Sequence, residues 1–338
     1  MKQSIFIVRR TNNATVTSHN FDVIKEAALK TDLRVVDYAT ISMCKKMGQK
    51  VDIYVVTTIN DALSLRLTGR KKIFYWIQGV LPEESFMRHR SRLRLKVLSL
   101  LEKFALKGSR YLAFVSEAME KHYNEKYKLS FHGKYIIFPC YNAHLDEIAF
   151  APKEKYINNV FVYAGGLAEW QCFDEMLDIY KRIENVHISG TKLMILTKDK
   201  EIAKEKIEER EIQNYEIGFV AKEELPKVLA SAKFGFVIRK NSIVNKVSTP
   251  TKISSYLSCG LIPIFGDSIK SFMLQSEDMK YAIPWNMEKN DISEILNMMK
   301  EKIDNVDVLT EYKKVFDRYF SDEKYISEIS NIFNELAK

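Results

Sequence analysis

Short apolar runs alternate with helical patterns along almost all of this 338-residue chain. In the first half the runs are SIFIV (4–8), LRVVDY (33–38), VDIYVVTT (51–58), KIFYWIQ (72–78), YLAFVS (111–116) and YIIFP (135–139). They are rich in Val, Ile, Phe and Tyr. Several are apolar on both faces, as strands buried inside a parallel sheet are. Helical periodicity fills the intervals near 20–30, 39–48, 60–68, 86–107 and 117–127. That alternation predicts βαβ units and a doubly wound sheet.

The pattern then restarts. NVFVYAGG (159–166) reads as a strand ending in two glycines, and a helix follows near 173–184. Further strands are expected at 192–199, 215–220, 233–238, 262–267 and 281–285, with helices near 201–210, 223–231 and 251–259. From Asp291 onward the chain reads as helix throughout. The polar stretch 142–159 lacks periodicity and marks the boundary. The expected fold is α/β: two Rossmann-like domains, 1–150 and 151–338, with the last helix free to cross back to the first. Two such domains facing each other put a cleft at the carboxyl ends of the strands, where open α/β sheets bind ligands. This favours an enzyme or a ligand-binding protein over a structural one.

Composition narrows the classes. At this length two domains are the expectation. No window holds 18 uninterrupted apolar residues, so no membrane-spanning helix is expected. The opening stretch has a short apolar run followed at once by arginines, which reads as a first strand and not as a secretory signal. Cys44, Cys140, Cys172 and Cys259 show no zinc spacing and read as reduced thiols of a cytoplasmic protein. The net charge of +8 is uneven: residues 1–150 balance to +11 and residues 151–338 to −3. The first half therefore suits an anionic partner.

Two stretches of the second half carry anion-binding chemistry. In VYAGGLAEWQCFDEML (162–177), Gly165 and Gly166 would let a phosphate approach the backbone, with the N-terminus of the next helix behind it. The same pattern also serves a tight turn. In IRKNSIVNKVSTPTKISSYLSCG (238–260), Arg239 stands at a strand's carboxyl end, and Asn245, Lys246, Thr251 and Lys252 surround Pro250. Pro suits the first turn of a helix, and Thr249 or Ser248 would cap it. Cations there oppose the helix dipole, and a bound phosphate removes the conflict. The bland alternative is a solvated basic loop.

The segments FVYAGGLAEWQCFDEML and PTKISSYLSCGLIPIFGD resemble two signature regions of family 4 glycosyltransferases with the GT-B fold, of the bacterial surface-polysaccharide type. Pro250, Thr251, Lys252, Tyr256, Leu257, Gly260, Pro263 and Ile264 carry the second likeness. YWIQGVLPEESFMRHRSRLR and FVSEAMEKHYNEKY resemble first-domain segments of the same group. The resemblance implies a nucleotide-sugar site made by Gly165, Gly166, Arg239, Asn245, Lys246, Pro250, Thr251, Lys252, Ser255 and Tyr256. It also implies an acceptor side with Gly79, Glu83, Glu84 and Ser116. The family's two glutamates fall here at Val247 and Ser255, and its phosphate-binding Arg and Lys at Gly166 and Gln171. Arg239, Lys246 and Lys252 are expected to replace the lost charge.

Two features of the first half remain. Glu83 and Glu84 follow a strand end, where carboxylates bind sugar hydroxyls or act as a base; they equally suit the start of a helix. The segment 86–111 holds Arg88, Arg90, Arg92, Arg94, Lys96, Lys103, Lys107 and Arg110 against one acid, Glu102, while Leu93, Val97, Leu98, Leu100, Leu101 and Phe104 supply an apolar face. A basic amphipathic helix reads as a surface for anionic lipid, or as a core-facing helix with a solvated basic side. Nucleic acid fits poorly, since no recognition module and no interleaved stacking aromatics are visible.

The sequence thus points to a cytoplasmic glycosyltransferase, peripheral on the inner face of the plasma membrane. It would transfer a hexose-type sugar from a nucleotide-sugar, UDP-sugar favoured, to a lipid-linked or surface-polysaccharide acceptor such as a capsule intermediate. Retention follows from the resemblance. No cofactor or metal is expected, because no Asp-x-Asp pair ends a strand. Arg239, Lys246 and Glu83 are the expected catalytic groups. The alternative is a non-catalytic GT-B-like subunit supporting a partner enzyme; a sugar-phosphate epimerase of similar shape has no sequence echo here.

Overall fold

Every strand read from the sequence forms, with ends that differ by a few residues. The computed structural model describes residues 3–9, 17–152 and 154–338, and these make two α/β units. One unit comprises Met1–Asn142, Lys246–Thr249 and Ser321–Lys338; the other comprises Ala143–Asn245 and Pro250–Phe320.

The first unit begins β1 (Ser4–Val8), α1 (Ser18–Leu29), β2 (Arg34–Ala39), α2 (Ile41–Met47), β3 (Ile53–Val56) and α3 (Ile59–Leu67). It continues with β4 (Ile73–Ile77), α4 (Leu81–His89), α5 (Arg92–Gly108), β5 (Tyr111–Phe114), α6 (Glu117–Tyr127) and β6 (Tyr135–Ile137). Its strands form one parallel sheet in the order β2-β1-β3-β4-β5-β6. All residues of β1, β3 and β4 are buried, which is why their sequences are apolar without alternation.

The second unit holds β7 (Val160–Ala164), α7 (Phe173–Glu184), β8 (Lys192–Leu196), α8 (Lys200–Glu208), β9 (Tyr215–Gly218), α9 (Leu225–Leu229) and β10 (Phe234–Val237). The short α10 (Ile243–Val247) runs across the division between the units. Then come α11 (Thr251–Ser258), β11 (Ile262–Gly266), α12 (Lys270–Gln275), β12 (Ile283–Trp285), α13 (Ser293–Lys300) and α14 (Asn305–Arg318). The sheet is again parallel, ordered β12-β11-β10-β7-β8-β9. Phe161 of β7 stacks on Phe234 and Phe236 of β10, with ring centres 4.6 and 5.6 Å apart, and fills the middle of this core.

The last helix, α15 (Asp322–Ala337), belongs to the first unit. Phe333 packs on Phe74 of β4 at 5.5 Å, and the Tyr141 hydroxyl donates to Asp322 at 2.7 Å.

Three expectations need correction. The helix read at 86–107 is two helices: Arg90 takes a left-handed conformation (φ 52°) that ends α4, and the Ser91 hydroxyl accepts the Arg94 N–H to start α5. The polar loop after β10 contains α10. The helical tail from Asp291 is three helices, broken where Asp304 and Ser321 cap α14 and α15.

Candidate active site

In the second unit the chain runs from β7 outward through β8 and β9, then crosses back to β10 on the other side of β7. The carboxyl ends of β7 and β10 therefore flank the point where strand order reverses, the usual ligand site of such sheets. Gly165 lies just past one end and Arg239 just past the other.

Gly165 has φ +145°, outside the range of ordinary residues, and a Cβ there would lie 2.8 Å from Cε and Nζ of Lys252. Gly166 faces no such crowding; its carbonyl accepts the Tyr163 hydroxyl at 2.6 Å. Arg239 is only 5% exposed. Its Nη1 donates to the Ile238 carbonyl at 2.9 Å, and its Nη2 donates to Oε1 of Gln171 at 2.9 Å. Lys252, half-buried, donates to the same Oε1 at 2.8 Å and stands 4.0 Å over the Tyr163 ring. Two cations thus share one neutral amide oxygen. Among the described residues neither has a carboxylate partner.

Electrostatics agree with this count. Burial, and then the neighbouring Arg239, hold the Lys252 ammonium well below its ordinary lysine range. Burial also lowers the Arg239 guanidinium. An amide dipole only partly offsets two withdrawn charges, whereas a diphosphate would offset both through charge-assisted bonds.

The other residues expected here take supporting positions. Asn245 is buried and donates to the Lys240 carbonyl at 2.9 Å, shaping the loop. Lys240 itself pairs with Glu175. Pro250 occupies the N-cap position of α11 with φ −64°, and Thr251 opens the helix. The Thr249 hydroxyl, one of the two expected caps, instead accepts the Cys140 N–H at 2.9 Å. Ser255 donates to the Thr251 carbonyl at 3.1 Å. Tyr256 is fully buried; its hydroxyl accepts the Ala164 N–H at 3.0 Å, and its ring occupies the space beside Gly235. It fixes α11 against β7 and β10. Lys246 is half-buried and counts with the first unit.

In the first unit, strand order reverses between β1 and β3. The acceptor-side residues follow β4 and β5 instead. Glu83 lies 2.7 Å from Lys126 and 3.3 Å from Nε2 of His122. These bonds outweigh burial and lower its carboxyl pKa, while its Oε2 is buried without a partner. Glu102 accepts from the hydroxyls of Tyr123 and Tyr127 at 2.9 and 2.6 Å, and Lys126 bridges Glu102 to Glu83. Glu84 is half-buried with its carboxyl raised by burial; its Oε1 sits where a Gly79 side chain would be. The Gly79 carbonyl accepts the Tyr123 hydroxyl at 3.3 Å. Ser116 is fully buried, caps α6 through the Met119 N–H, and donates to the Val247 carbonyl at 2.7 Å.

Sequence reasoning missed Gln171 as the acceptor shared by Arg239 and Lys252. The signal was present: its position is where a cation is expected, and a neutral acceptor there implies cations from elsewhere. The basic residues Arg88, Arg90, Arg92, Arg94 and Lys96 lie on α4, α5 and the turn between them.

No protein-family signature and no curated protein matches the chain. Solved structures do. HepE from Anabaena, in complex with UDP and glucose, is similar over 98% of this chain and 100% of its own, with 11% identity and a TM-score of 0.69. The lipopolysaccharide outer core galactosyltransferase WaaB is similar over 99% and 100%, with 12% identity and a TM-score of 0.68. A variant of S. aureus TarM bound to UDP gives a TM-score of 0.63 at 12% identity, and this chain spans 58% of its length. At such identities the likeness is one of fold: the chain has the two-domain α/β architecture called GT-B.

Proposed function

We propose that this chain is a glycosyltransferase that takes its sugar from a UDP-sugar. The observation that carries the reading is the pair Arg239 and Lys252, without a carboxylate, at the strand-order reversal of the second unit. The complexes of HepE and TarM with UDP support the nucleotide. When the bond between the sugar and the diphosphate breaks, negative charge grows on the leaving phosphate. In this reading Arg239 and Lys252 stabilise it, which is the role a metal takes in other transferases. Gly165 keeps the backbone beside them clear of side chain.

The acceptor in this reading is a lipid-linked or surface-polysaccharide saccharide, met by the first unit at the inner face of a membrane. Transfer proceeds with retention. Glu83, held ionised by Lys126 and His122, suits hydrogen bonding to sugar hydroxyls through its unpartnered Oε2. The test is calorimetric titration with UDP, followed by slow hydrolysis of UDP-sugars in the absence of acceptor. The expected result is binding of UDP and release of free sugar from one donor. Absence of binding contradicts the donor site; binding without turnover of any UDP-sugar, with acceptor saccharides supplied, contradicts the enzymatic reading.

A further inference from the structure

Helix α5 carries two separate apolar faces. Ala105 and Leu106 are buried, on the side where Glu102 is fixed by Tyr123, Tyr127 and Lys126. On another side Leu93, Val97, Leu100 and Phe104 are 74%, 51%, 55% and 56% exposed. These four recur at i, i+4, i+7 and i+11, so they form one continuous outward row. Arg92, Lys96, Lys103 and Lys107 recur at i, i+4, i+11 and i+15 and form a second row beside it. None of these four cations has a carboxylate partner among the described residues. The apolar surface continues onto α3: Leu67 is 87% exposed, and a groove of about 400 Å³ between the helices is lined by Leu63, Leu67, Leu101 and Phe104.

We infer that this face of the first unit docks on an anionic lipid bilayer, with Leu93, Val97, Leu100, Phe104 and Leu67 entering the headgroup region and the cation row lying against lipid phosphates. An apolar row edged by unpaired cations is the pattern of an interfacial helix. No helix among the described residues is long and apolar enough to cross a membrane, so this contact is a surface one. A second copy of the chain fits less well, because a two-fold pairing through this face would set like charges against each other. Nucleic acid would meet the cations but gain nothing from four exposed apolar side chains. The inference takes up the membrane part of the reading above, yet it rests on α3 and α5 alone and is independent of the donor site.

Flotation of the whole chain with vesicles tests it. Wild type should bind phosphatidylcholine vesicles containing phosphatidylglycerol and bind pure phosphatidylcholine far less. Replacing Arg92, Lys96, Lys103 and Lys107 with Gln should weaken partitioning by about fivefold per cation. Replacing Leu93, Val97, Leu100 and Phe104 with Ser should weaken it by at least about 100-fold, also at low salt, where charge alone would still hold the protein. All eight positions are surface-facing, so thermal unfolding should stay near wild type. As a second probe, the indole fluorescence of a Phe104→Trp variant should shift to the blue on adding vesicles and be quenched by brominated lipid. The inference is overturned by no flotation at any salt, by a Ser variant that floats like wild type, or by an indole signal in the Phe104→Trp variant that lipid leaves unchanged. It is also overturned if the Ser variant loses a dimer and vesicles have no effect. UDP titration of the same variants separates these failures from a failure of the donor site.

Discussion

Lys126 of the first unit and Arg239 of the second are both largely withdrawn from water, but they keep different company. Lys126 bridges Glu83 and Glu102, and two tyrosine hydroxyls complete the Glu102 bonds. There the ammonium is matched by carboxylates, and the cluster ties α4, α5 and α6 together. Arg239 and Lys252 instead share the amide oxygen of Gln171. A compensated cluster explains itself by stability. An uncompensated one lowers stability unless an anion from outside the chain completes it.

The comparison can be broken in several ways. The largest effect is expected from Arg239→Met with Lys252→Met. Each lost charge-assisted contact costs about 1.5–3 kcal/mol, so UDP affinity should fall by at least about 100-fold. Thermal stability should hold or rise, since an apolar chain of similar size replaces a withdrawn charge. The matching change in the first unit, Glu102→Ala, should do the opposite. It leaves Lys126 to Glu83 alone and removes the carboxylate that accepts from the Tyr123 and Tyr127 hydroxyls, lowering stability by about 1–3 kcal/mol in a denaturant titration while UDP binding persists. Gln171→Glu would make the second unit resemble the first. A carboxylate facing both cations should raise stability by about 1–2 kcal/mol and weaken UDP about tenfold, because it competes for the same donors. The smallest contrast lies in the glycines. Gly166→Ala should change stability by less than about 0.5 kcal/mol, whereas Gly165→Ala should cost about 1–3 kcal/mol through its backbone conformation and the contact with Lys252.

The strands were legible because parallel strands covered on both faces must be apolar throughout, and β3, β4 and β10 are. Arg239 was legible as the residue leaving β10. The break between α4 and α5 was not, because Arg90 enters a conformation that its residue type does not announce. Gln171 was not legible because its partners lie 68 and 81 positions away. The row Leu93, Val97, Leu100 and Phe104 was read together with Leu98 and Leu101 as one face; spacing groups them coarsely, and only packing separates outward from inward. Glu102 gave a clue in being the single acid among eight cations, since an isolated carboxylate on a basic helix is often one with a buried partner.

The central claim is that the second unit holds a diphosphate through Arg239 and Lys252. Calorimetry comparing UDP with uridine, in buffers of different ionisation enthalpy and at rising pH, tests it most directly. Lys252 has its pKa lowered by burial and by Arg239, so a bound anion should raise that pKa again. Binding of UDP should therefore take up a proton wherever Lys252 is partly deprotonated in the free protein, and affinity should fall as pH rises through its lowered pKa. Uridine should bind far more weakly at every pH and take up none. Equal affinity for UDP and uridine, or UDP affinity that grows with pH, would contradict the account.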